Sequence, residues 1–96
     1  MPEISVVIPT YNRLDTLAHV IPTLLAQDLP AERYELLVCD SNSSDGTAQF
    51  LAGIAAEHPQ VRHLPGAYGG RAAARNAGIR AASGEIVRGV ETLMHA

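Results

Sequence analysis

Three short polar segments carry the residue types from which a ligand site could be built. Pro9-Thr10-Tyr11-Asn12-Arg13 sets an aromatic ring beside hydroxyl, amide and guanidinium groups. That ring could pack on a base or a ribose; equally, the segment reads as a helix-capping loop with an incidental tyrosine. In Asp40-Ser41-Asn42-Ser43-Ser44-Asp45-Gly46-Thr47, the first residue ends an apolar run. A carboxylate at the tip of a buried strand can accept a hydrogen bond from a nucleobase N–H or a ribose hydroxyl, whereas Asp45 reads more simply as a helix cap. Gly66-Ala67-Tyr68-Gly69-Gly70-Arg71 leads into an alanine-rich stretch. Glycines let backbone approach a ligand closely, and a helix N-terminus attracts anions. Arg71 and Arg75 fall on one helix face. They suit a diphosphate or base contact, or else are two solvated arginines.

Other chemistries find less support. A dinucleotide fold needs G-x-G-x-x-G after its first strand, where this chain has Pro-Thr-Tyr-Asn; a P-loop needs a lysine, and the chain has none. His19, His58, His63 and His95 show no metal-ligand spacing and read as ordinary surface residues. Cys39 sits in an apolar run as a small buried hydrophobe; a lone cysteine has no internal disulfide partner, which fits a reducing compartment and a cytoplasmic location. Net charge is −3 with no basic run, so no nucleic-acid partner is expected. The N-terminus lacks the pattern of a signal peptide, and no apolar run approaches the roughly 20 residues that span a bilayer.

The elements that must position these segments alternate. Ile4–Ile8 is a short β-branched apolar run that predicts a buried parallel strand stopped by Pro9. Leu14, Leu17, Ile21, Leu24 and Leu25 follow at helical spacing, with Asn12 or Thr10 as cap, Asp15 in the first turn, and Asp28-Leu29-Pro30 as the end. Tyr34–Cys39 predicts a second buried strand terminating at Asp40. A second helix carries Phe50, Leu51, Ile54 and Ala55, is capped by Ser44 or Asp45, and ends at His58-Pro59. Val61–Leu64 is a short strand interrupted by Arg62 and His63. Arg71–Ala82 is a third helix closed by Ser83-Gly84, and Glu85-Ile86-Val87 opens a fourth apolar run. The order β-α-β-α-β-α-β predicts a parallel sheet with right-handed crossovers, Val6, Ile8, Leu37 and Cys39 buried, and helices on both faces. Ligands of such sheets bind outside the carboxyl ends of the strands, which here are the three polar segments.

Taken together, three blocks resemble family 2 glycosyltransferases, which have the Rossmann-like GT-A fold. They are Ile4-Ser5-Val6-Val7-Ile8-Pro9-Thr10-Tyr11-Asn12-Arg13, then Val38-Cys39-Asp40 with Asn42-Ser43-Ser44-Asp45-Gly46-Thr47, then Ala74-Arg75-Asn76-Ala77-Gly78-Ile79 with Ala82-Ser83-Gly84-Glu85-Ile86-Val87. They stand in the family's order and cover roughly residues 3–87. The resemblance implies transfer of a sugar from a UDP- or GDP-linked donor to an acceptor hydroxyl, with inversion. It implies that the backbone around Pro9 and Tyr11 holds the nucleoside, with Thr10 and Arg13 in the same nucleotide site, that Asp40 accepts from the base, and that Arg75 and Arg71 lie near base or diphosphate. Ser41 stands where many members carry a second acidic residue.

The end of the chain departs from the family pattern. In the family the fourth strand runs on into Asp-x-Asp, which helps bind the divalent metal, Mg or Mn, that neutralises the leaving diphosphate. Here Val87 is followed by Arg88-Gly89-Val90-Glu91-Thr92-Leu93-Met94-His95-Ala96, with neither a long apolar strand nor Asp-x-Asp. The expectation is therefore a truncated GT-A nucleotide-binding half-domain over 1–87 and a divergent tail over 88–96. It has no metal ligand or catalytic residue of its own, and full-length relatives would work at the inner face of a membrane. The alternative is a non-catalytic nucleotide-binding module or an inactive remnant.

Overall fold

The structure is a computed structural model, described for residues 2–26, 30–84 and 86–89. Its elements are β1 (Ile4–Thr10), α1 (Leu14–Leu25), a 3-10 turn (Ala31–Arg33), β2 (Tyr34–Asp40), α2 (Thr47–Glu57), β3 (Val61–Pro65), α3 (Arg71–Ala81) and β4 (Ile86–Gly89). The four strands form one sheet in the order β3-β2-β1-β4, and every pairing is parallel. The predicted alternation is the observed one. Residues 27–29, 85 and 90–96, including part of the expected helix stop and most of the expected tail, lie outside the described residues.

The period-2 alternation of the strands sorts the core into two layers. On one face Ile8, Leu36, Val38 and Val61 pack with Leu17 and Ile21 of α1 and Leu51 of α2. On the other, Val7, Leu37 and Cys39 pack against Ala74 of α3. Cys39 is buried and unpaired, and burial pushes its thiol pKa up, as expected of a small hydrophobe. Val6, expected to be buried, is half-buried and packs at the margin of the first layer.

Several boundaries differ from the sequence reading. Pro9 does not stop β1, which runs to Thr10. In a parallel strand, successive residues turn their backbone groups to opposite neighbours. Thr10 accepts from the Ser41 N–H on the β2 side, so the missing donor of Pro9 falls on the β4 side, where the pairing of the described residues runs to Val7↔Gly89. Pro22 sits inside α1 on its exposed side, where loss of one helix bond is tolerated. The described part of the fourth strand continues past Val87 to Gly89.

The third helix lies close to the sheet because two glycines permit it. An added Cβ on Gly78 would run into Val7 Cγ1 and come within 2.7 Å of Cys39 Sγ. One on Gly84 would meet Ser5 Oγ at 2.8 Å and the β1 backbone at 2.9 Å. Beneath this α3–β4 turn lies a buried polar cluster that the sequence reading missed. Glu35 Oε2 accepts from Ser5 Oγ (2.7 Å) and from the Ser83 N–H (2.7 Å), while Arg62 donates to Oε1 (3.1 Å). The Gly84 N–H in turn donates to Ser5 Oγ (2.8 Å). Burial alone would push the Glu35 pKa up. The hydrogen bonds from Ser5, Ser83 and Arg62, with the Arg62 charge, outweigh it and hold the carboxyl below its ordinary value.

Candidate functional site

The carboxyl ends of β1 and β2 and the segment after β3 converge on one cavity of about 430 Å³. Pro9, Thr10, Tyr11 and Arg13 line it from the first segment, Ser41 from the second, and Tyr68, Gly69, Gly70, Arg71 and Ala74 from the third. Five of the seven residues expected at a nucleotide site are therefore on its wall: Pro9, Thr10, Tyr11, Arg13 and Arg71. Tyr11 is 60% exposed, an aromatic ring held at the rim without packing of its own to satisfy it. The N-terminus of α3 opens here with no side-chain cap, so the positive end of its dipole faces the cavity. Tyr68 donates its hydroxyl to the Leu64 carbonyl (2.9 Å), and burial followed by the charges of Cys39 and Asp40 pushes its pKa up.

Asp40 and Arg75 are not on the wall. Asp40 turns its carboxylate to Ser43 and His63, and the next residue, Ser41, reaches the cavity instead. Asp40 is only 2% exposed. Its Oδ1 accepts from the Ser43 N–H (2.9 Å) and Ser43 Oγ (2.6 Å), and its Oδ2 is bonded to His63 Nε2 (2.8 Å). His63 is thus not the ordinary surface histidine expected; it is half-buried on β3, beside Val38, as the partner of Asp40. Arg75 is half-buried and lies towards the end of β4, its Nε 4.0 Å from where a Cβ on Gly89 would stand.

The first two segments are stitched to each other, which fixes Tyr11 in place. The Asn12 N–H donates to Ser43 Oγ (2.8 Å), and Asn12 Oδ1 accepts from the Ser44 N–H (2.8 Å). Neither Asn12 nor Thr10 caps α1. That helix is capped from the other segment, where Asp45 Oδ2 accepts from the Leu14 N–H (2.9 Å). Asp45 Oδ1 also accepts from the Thr47 N–H (3.3 Å) and hydroxyl at the start of α2. One carboxylate serves two helix N-termini, and the Thr47 hydrogen bond does most to lower its pKa. Thr10 Oγ1 is the buried side-chain oxygen that has no hydrogen-bond partner among the described residues.

Among the described residues, no three His, Cys, Asp or Glu side chains gather as a metal site. The described residues therefore offer no ligand set for a divalent metal. No helix among them is long and apolar enough to cross a membrane.

A cavity at the carboxyl edge of a parallel sheet, here lined by two tyrosines and two arginines, is where open α/β sheets bind their ligands. The glycosyl transferase family 2 model matches residues 5–90, and the chain belongs to that family. It is 33% identical over 92 residues to glycosyltransferase AglE of Haloferax volcanii, covering 91% of this chain and 29% of the relative. The structure of S. aureus TarS 1–349 in complex with UDP-GlcNAc superposes with a TM-score of 0.85 at 29% identity, covering 96% of this chain and 26% of that one. Mannosyltransferase PcManGT from Pyrobaculum calidifontis, in complex with GDP-Man and Mn2+, also gives 0.85, at 32% identity over 95% of this chain and 27% of that one. The fold is thus the GT-A fold, and the chain spans less than a third of the length of these relatives.

Proposed function

We propose that this chain is the nucleotide-binding portion of a nucleotide-sugar-dependent glycosyltransferase. The observation that carries the reading is the cavity at the carboxyl edge of the sheet, where Tyr11, Arg13, Arg71 and the uncapped start of α3 converge. In this reading the nucleoside packs on the Tyr11 ring against Pro9 and Thr10. The diphosphate lies towards Arg71, Arg13 and the N-terminus of α3, whose backbone N–H groups favour an anion. Thr10 Oγ1, buried without a partner, gains one if the ribose or base reaches it. The chain's contribution is binding and orientation. Such groups hold ground state and transition state alike and lower little of a transfer barrier by themselves. A UDP- or GDP-linked sugar is the proposed ligand, since the solved relatives named above hold UDP-GlcNAc and GDP-Man. A cytoplasmic setting belongs to the same proposal and suits the unpaired, buried Cys39.

Calorimetric titration with uridine and guanosine diphosphates tests it. At least one should bind, and Tyr11→Ala should weaken it by roughly 1–3 kcal/mol, the worth of one aromatic stack on a base. Absence of binding by either nucleotide, or equal binding by the Tyr11→Ala chain, would sink the proposal.

A further inference from the structure

Among the described residues, the wall of the cavity contains no carboxylate. Its polar side chains are the hydroxyls of Thr10, Tyr11, Ser41 and Tyr68 and the guanidinium groups of Arg13 and Arg71. The two acidic residues of the second segment are both off the wall, and Asp45 caps α1 through the Leu14 N–H. Asp40 is 2% exposed, and its carboxylate accepts three hydrogen bonds from Ser43 and His63, out of roughly four that it can take. Those partners sit on β3 and in the segment leading to α2, so the carboxylate cannot swing to the cavity without leaving them. The residue that the end of β2 does deliver is Ser41. Its backbone is fixed by the N–H bond to the Thr10 carbonyl (3.0 Å). Among the described residues its hydroxyl has no hydrogen-bond partner.

Acceptor-only and two-way groups read a base edge differently. A carboxylate can only accept, so it selects a base that presents a ring N–H and repels one that presents a lone pair there. A hydroxyl does either by rotating its hydrogen. We propose that Ser41 is the base-reading residue of this site, and that the site consequently does not distinguish a base with a ring N–H from one with a ring acceptor at that position. This rests on the nucleotide-binding reading above. The site would accept uridine and cytidine diphosphates alike or, if it takes purines, guanosine and adenosine diphosphates alike. Most of the affinity comes from the Tyr11 ring and the cationic groups around the diphosphate, which every member of these pairs shares.

The test is titration of the chain with uridine, cytidine, guanosine and adenosine diphosphates, followed by Ser41→Asp and Ser41→Ala. Within whichever pair binds, wild-type affinities should agree within about threefold, because Ser41 offers each base one hydrogen bond. Ser41→Asp should create a preference of roughly tenfold or more for the ring N–H member, since its partner then faces a carboxylate with no proton to give. Ser41→Ala should weaken both members by a similar factor. Circular dichroism of each variant confirms that the half-exposed position tolerates the change. A wild-type preference above tenfold overturns the inference while leaving the nucleotide reading intact. An unchanged ratio in Ser41→Asp does the same. Failure of all four nucleotides to bind overturns both.

Discussion

Replacing Gly78 by alanine should destabilise the chain, although glycine-to-alanine changes inside a helix ordinarily stabilise. The ordinary gain is about 1 kcal/mol. At Gly78, however, the new methyl would overlap Val7 Cγ1 and lie 2.7 Å from Cys39 Sγ, where carbon and sulfur contacts normally begin near 3.5–4.0 Å. Val7 and Cys39 are fully buried in the layer beneath α3, and their strands are paired on both sides, so neither can retreat. The helix must lift by about an ångström, and overpacking of this kind costs about 1–3 kcal/mol, occasionally more. The net expectation is a loss of up to about 2 kcal/mol, or up to roughly 15 °C in Tm for a chain of this size. Gly53 is the internal control: it lies on the exposed side of α2 with nothing within 4 Å of an added Cβ. Gly53→Ala should therefore stabilise by about 0.5–1 kcal/mol. Urea melts followed by circular dichroism would compare the midpoints at constant slope. If Gly78→Ala proved as stable as Gly53→Ala, the close approach of α3 to the sheet would be wrong.

Three further outcomes are expected. Because the Glu35 carboxyl is held below its ordinary value of 4.5 in the folded chain, it contributes stability that is full above that value and is lost as pH falls through the folded pKa. Glu35→Gln should flatten this acid-side loss in melts at pH 7 and pH 3, and should cost about 1–3 kcal/mol at neutral pH by leaving Arg62 facing an amide donor; an unaltered pH dependence would show that the cluster does not titrate with folding. Asp45→Ala removes the cap from both α1 and α2 and should cost about 1–2 kcal/mol, with a parallel loss of nucleotide affinity as the Tyr11 segment loosens; a variant as stable and as tight-binding as wild type would show the stitching to be idle. The 96-residue chain incubated with manganese and UDP- or GDP-sugars should release no nucleoside diphosphate over repeated turnovers; release that a chelator abolishes would reveal a metal site and a base outside the described residues.

Much of the fold was legible because its strands are nearly continuous apolar runs and its helices keep a clear period. The β-α alternation, the parallel sheet and the burial of Ile8, Leu37 and Cys39 follow from those patterns. Pro9 does not end the strand because backbone alternation puts its missing donor on the side away from β2, and the apolar run does not show which side that is. The site was legible as three segments, less so residue by residue. Asp40 stands out in the sequence as the acidic residue at a strand tip, yet its carboxylate is taken up by Ser43 and His63, and Ser41 is the residue on the wall. Those partners come from two other segments, and composition does not reveal them. The partners of Asp40 and Glu35, His63 and Arg62, are successive residues of β3 pointing to opposite faces. In the sequence they are two polar residues interrupting a short strand, and only the neighbouring β2 gives them a role.

The central claim is that a nucleotide occupies the cavity at the carboxyl edge of the sheet. The measurement that tests it most directly is a titration of the isotope-labelled chain with uridine or guanosine diphosphate, followed by backbone amide resonances in solution. Shifts should concentrate at Thr10–Arg13, Ser41 and Tyr68–Arg71, the residues that line the cavity, and should saturate with ligand. Shifts concentrated at the opposite edge, around Ala31–Arg33 and Gln60–Arg62, or none at any attainable concentration, would contradict it.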